Sequence, residues 1–72
     1  MERGWVKIAT YTNELRGEMF KIALEQNGIA AVLLNKQDSS MKFGRIELFV
    51  QESEAKVART IIQEETDHID ED

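Results

Sequence analysis

Cysteine is absent from the 72 residues, and histidine occurs once, at His68. Without thiols there is no disulfide staple and no thiol nucleophile, and a single histidine without cysteine excludes a structural zinc site. Long apolar runs are missing as well. No stretch approaches the roughly 18 residues that span a bilayer, and Met1-Glu2-Arg3-Gly4 lacks the apolar core of a signal peptide. A cytoplasmic protein that does not enter a membrane is the expectation. Size is the last shortage: a chain this short buries only about 60% of the surface its unfolded form exposes. With no staple, the remaining sources of stability are good packing and association with another chain, so a homo-oligomer is expected.

The formal charge is −5, yet six of the 14 acids (Glu64, Glu65, Asp67, Asp70, Glu71, Asp72) fall in the last nine residues. Residues 1–63 hold eight acids against nine bases. The body is close to neutral and the acidity belongs to the C-terminal stretch. The expected organisation is one domain over residues 1–65 and a solvated acidic tail over residues 66–72.

Against these absences stand clear periodic patterns. In Phe43-Gly44-Arg45-Ile46-Glu47-Leu48-Phe49-Val50, the aliphatic set Ile46, Leu48 and Val50 alternates with Arg45, Glu47 and Phe49, as in a strand with one buried face. Residues 5–11 also alternate and are rich in β-branched and aromatic side chains, with Val6, Ile8 and Thr10 on one side and Trp5, Lys7, Ala9 and Tyr11 on the other. The period then changes. Thr12 or Asn13 suits a helix N-cap, and Glu14 suits the positive end of the helix dipole. Leu15, Met19, Ile22, Ala23 and Gln26 form the expected buried stripe of an amphipathic helix, with Glu14, Glu18, Lys21 and Glu25 outward.

Asn27-Gly28 closes that helix, since glycine takes the left-handed cap without steric penalty. Gly17 lies inside it, where glycine costs roughly 1 kcal/mol against alanine; it either permits close approach to a sheet or is tolerated drift. Residues 29–34 are apolar without alternation, so the pattern does not say which side chains face inward. After a polar connection, the central strand leads to a cap at Ser53 and a second helix whose inner stripe is Ala55, Ala58, Ile61, Ile62 and Glu65.

The order strand, helix, strand, strand, helix gives an α+β fold. A crossover between the first two strands leaves a gap for the third, as in ferredoxin-like folds. The expected architecture is βαββα: a three-stranded antiparallel sheet of order 1-3-2 with two helices on one face. No fourth strand pattern follows to pair with the first strand, whose edge is then guarded by Lys7 alone.

The set Trp5-Val6, Tyr11-Thr12-Asn13, Leu24-Glu25-Gln26-Asn27-Gly28-Ile29-Ala30-Ala31, Leu34-Asn35 and Phe43-Gly44-Arg45-Ile46-Glu47-Leu48-Phe49-Val50 resembles a family of small bacterial proteins. These are the "putative prokaryotic signal-transducing proteins", with a ferredoxin-like fold akin to the PII (GlnB-like) nitrogen regulators, and the resemblance covers about residues 5–65. It implies regulation, without an established reaction.

Catalysis is not expected. His68 lies in the acidic stretch with nothing to hold it, no serine has an assignable histidine base, and no glycine-rich phosphate cradle follows the first strand. No cofactor or metal is called for, because the acids of residues 67–72 lack the spacing and turn glycine of a calcium loop. The leading expectation is a non-enzymatic regulatory or protein-interaction module. It would use the first-strand edge and the sheet face away from the helices, with Trp5, Lys7, Tyr11 and Phe49 at the interface and Ala9 and Phe43 beside them; an inert surface is the bland alternative. A second expectation is an anion or nucleotide sensor in the 35–45 connection through Lys36, Ser39, Ser40, Lys42 and Arg45, set against a plain polar loop. In PII-like proteins the corresponding link is the signalling loop. A third, single-stranded nucleic-acid binding, would stack bases on Trp5, Tyr11 and Phe49. It is weakened by Glu47 in the middle of that face and by few cations.

Overall fold

The computed structural model describes residues 4–36 and 45–69. The elements are β1 (Trp5–Tyr11), α1 (Glu14–Gln26), β2 (Ala31–Lys36), β3 (Arg45–Gln51), a 3₁₀ turn (Glu52–Glu54) and α2 (Ala55–Ile69). The sheet order is β1-β3-β2, and both pairings are antiparallel. This is the βαββα arrangement expected from the sequence. Phe43 and Gly44, read as the start of the central strand, lie outside the described residues.

Register settles the question left by the unalternating run at 29–34. Ala31 pairs with Val50, Leu33 with Leu48 and Asn35 with Ile46, while Val32, Leu34 and Lys36 pair with Phe49, Glu47 and Arg45. Since side chains alternate across a strand, Ala31 and Leu33 join Ile46, Leu48 and Val50 on one face. Phe20 and Leu24 from α1, Ala55 and Ala58 from α2, and Ile29 close over that face to make the core. Both helices therefore lie on one side of the sheet.

The helix rotation differs from the sequence expectation. Leu15, Met19 and Ile22 are exposed at 69%, 46% and 48%, whereas Gly17, Phe20 and Leu24 are buried. The C-terminal cap explains which stripe wins. Gly28, at φ 80°, donates its N–H to Glu25 O, and the Ile29 N–H reaches back to Leu24 O. That pair of bonds is a Schellman closure, which brings the residue after the glycine against the residue four before it. Here those residues are Ile29 and Leu24, both buried. With Leu24 fixed inward, Phe20 and Gly17 follow at spacings of four and three.

At the other end, the Asn13 side chain accepts from the Arg16 N–H at 3.2 Å, so Asn13 is the N-cap. The second helix buries Ala55 and Ala58 and half-buries Ile61 and Ile62, as its sequence stripe predicts, while Glu65 is exposed. It starts after the 3₁₀ turn that contains Ser53 and continues to Ile69, into the stretch read as tail. No helix among the described residues is long and apolar enough to cross a membrane.

Candidate functional site

Strand β1 pairs with β3 as Val6 to Val50 and Lys7 to Phe49, then as Ala9 to Leu48, Thr10 to Glu47 and Tyr11 to Ile46. Ile8 is the extra residue of a β-bulge. A bulge inserts one residue against the partner strand and so reverses which side chains point inward beyond it. Before the bulge, Val6 faces the helices and Trp5 and Lys7 face away. Beyond it Ala9 and Tyr11 face the helices, and Thr10 faces away. Ile8 packs against the core alongside Ala9.

Two expected members of the outer face, Tyr11 and Ala9, are therefore on the helix side. Tyr11 stacks on Phe20 with ring centroids 5.1 Å apart and planes at 12°. Trp5, Lys7 and Phe49 do lie together on the outer face, with Val32 and Leu34 from β2. Trp5, Val32, Leu34 and Phe49 are each half-buried. The Cα extents, 39 × 35 × 15 Å, are those of a thin slab with helices on one side only. In the middle of the bare side stands Glu47, only 5% exposed, with its carboxylate 3.5 Å from Lys7 Nζ. The ion pair is diagonal across the β1/β3 ladder, with Lys7 opposite Phe49 and Glu47 opposite Thr10. Removing Tyr11 from this face leaves two rings and a carboxylate where a base-stacking surface would need an aromatic platform.

A second feature lies where β1 hands over to α1. Thr10, Tyr11, Thr12, Asn13 and Arg16 line a depression of about 380 Å³. The Tyr11 hydroxyl oxygen is buried and has no hydrogen-bond partner among the described residues. Burial pushes this phenol above its ordinary 10.0, against the opposing field of Arg16. The neutral phenol is thus favoured in the folded chain. Its contribution to stability is complete below the unfolded value and is lost as pH climbs through the folded one. Ultraviolet titration of this sole tyrosine should give a midpoint above 10.0 in buffer and one near 10 in denaturant; coincident midpoints would contradict the burial.

Of the 35–45 set, Lys36 ends β2 and pairs in register with Arg45, which is exposed. Ser39, Ser40 and Lys42 lie outside the described residues. Arg16 escaped the sequence reading, although a signal was available. Asn13 as N-cap puts Arg16 in the third helical position, one turn above the end of β1.

The topology defines a class: small α+β domains of ferredoxin-like topology, here with one sheet face uncovered among the described residues. A family model described as "Putative prokaryotic signal transducing protein" matches residues 5–66, and the chain belongs to that family. No curated protein and no solved structure matches the chain.

Proposed function

We propose that this chain is a non-enzymatic regulatory module that works by association in the cytoplasm, through its bare sheet face and the outer edge of β1. The observation that carries the reading is the continuous half-buried set Trp5, Val32, Leu34 and Phe49 on the uncovered side of the sheet. Among the described residues no strand pairs with the outer edge of β1. An unpaired edge beside an apolar face is a template for another chain. The family description, signal transduction, is consistent with a chain that changes partners rather than substrates. A second copy is the first occupant to test, since an antiparallel pairing of β1 with itself about a twofold axis needs no other surface.

The test is sedimentation at about 100 µM, where a micromolar contact is nearly saturated, together with the emission of the single tryptophan. A dimer or larger species with blue-shifted Trp5 emission is expected, and Phe49→Lys should return it to a monomer. A monomer with fully solvated Trp5 emission at that concentration would remove the self-association reading.

A further inference from the structure

We infer that the outward stripe of α1, formed by Leu15, Met19 and Ile22, is a docking surface for an amphipathic helix of another protein, one that carries basic residues beside its apolar row. The surface is on the helix side of the molecule, opposite the sheet face assigned to association above, and does not depend on that reading. The large apolar side chains that stand exposed among the described residues are Leu15, Met19, Ile22 and Val57, all on the helices and three of them on α1. Their spacing on α1, i, i+4 and i+7, places the three in one row. That row is opposite the buried one, because Gly17, Phe20 and Leu24 hold the face against the sheet. A helix with one packing partner needs one apolar stripe, and α1 carries two. The outer spacing is that of the anchors by which one helix seats on another.

Charge selects the occupant. Glu14, Glu18, Lys21 and Glu25 each precede by one residue a member of the series 15, 19, 22 and 26, so they form a second row alongside the stripe. Lys21 Nζ is already engaged, 3.7 Å from the Glu25 carboxylate. Glu14 and Glu18 are exposed and have no ion pair among the described residues. The flank that a docked helix would meet is therefore acidic, and complementary potential favours a basic partner.

The same row argues against the other occupants. A second copy of α1 laid antiparallel, with Met19 against Ile22, brings acidic row to acidic row and sets Glu18 against Glu25. Laid parallel, it sets Glu18 against Ala23 and gains no ion pair. An anionic bilayer is repelled by Glu14 and Glu18. A helix with lysine or arginine next to its apolar row satisfies both the stripe and its flank, and the like-charge contacts exclude acidic competitors.

The experiment is an NMR amide titration of the full chain with a synthetic helical peptide of about 18 residues, built of leucine, alanine and lysine, with its leucines at heptad spacing and its lysines in the flanking rows. A counterpart peptide has glutamate in place of every lysine. Shifts centred on residues 14–26 are expected with the lysine peptide, at a Kd at or below roughly 100 µM that rises with added salt, and none with the glutamate peptide. Met19→Gln combined with Ile22→Gln removes apolar contact and should weaken binding about tenfold or more. Glu18→Gln should weaken it about two- to fivefold and flatten the salt dependence. The three positions are exposed and glutamine is a good helix former, so the variants keep the fold. No α1 shifts up to about millimolar lysine peptide, shifts confined to residues 64–72, shifts unaltered in the glutamine variants, or an equal response to the glutamate peptide would overturn the proposal. So would α1 shifts on concentrating the chain alone, which assign the stripe to a second copy, or α1 shifts with phosphatidylglycerol vesicles and none with peptide, which assign it to a membrane. Self-association through the sheet face moves residues of β1 and β3 instead, so the two readings fail separately.

Discussion

Phe20→Ala should destabilise the chain by about 3–5 kcal/mol, whereas Met19→Ala, one residue away, should change stability by less than about 1 kcal/mol. Phe20 is 2% exposed and Met19 is 46% exposed. Truncating Phe20 leaves a cavity among Leu24, Leu48 and Val50 and removes the ring on which Tyr11 stacks. Aromatic pairs of this kind are worth about 0.5–1.5 kcal/mol beyond the area they bury. Marginal stabilities run at roughly 0.05–0.15 kcal/mol per residue, so for a chain this size the loss is a large part of the whole. Urea denaturation of the two variants at one protein concentration checks the prediction. Losses in the reverse order would mean that the helix is rotated, with the Leu15, Met19 and Ile22 stripe buried in place of Phe20 and Leu24.

That comparison isolates where the sequence is legible. In β3 one face is aliphatic and the other mixed, and a period of two admits a single solution: Ile46, Leu48 and Val50 inward. In α1 apolar residues occur on two sides, Leu15/Met19/Ile22 and Phe20/Leu24, so periodicity supports both. The choice is made by a backbone motif, the Gly28 closure that pins Leu24 to Ile29; in the sequence Asn27-Gly28 marks where the helix stops and carries no sign of its rotation. In β1 the misplacement of Ala9 and Tyr11 has a different cause. No glycine or proline marks the bulge in Trp5–Tyr11, and alternation computed from one end cannot see an inserted residue. The inward placement of Tyr11 beside Phe20 depends on the same bulge. The strand order, by contrast, depends on element types and connection lengths, which neither local error disturbs.

The second large effect is expected at Gly17. A Cβ built there would lie 3.0 Å from Ile46 Cγ2 and 3.4 Å from Leu33 Cδ2, so α1 approaches the sheet to the limit that glycine allows. Of the two sequence readings, close approach is the one the geometry supports. Two terms then oppose each other in Gly17→Ala. Helix propensity favours alanine by about 1 kcal/mol, and compression against Ile46, which is buried in the central strand, opposes it by a similar amount. The expected net change is within about 1 kcal/mol of zero. Gly17→Val adds two γ carbons to the same contact and a β-branched residue to the helix, and should cost about 3 kcal/mol. The decisive measurement is a double-mutant cycle. Ile46→Ala deletes the Cγ2 that the new methyl would strike, so in that background Gly17→Ala should stabilise by about 1 kcal/mol. If the alanine is equally stabilising with Ile46 intact, the helix has freedom to lift from the sheet, and the close approach at Gly17 is not what sets the spacing between the two layers.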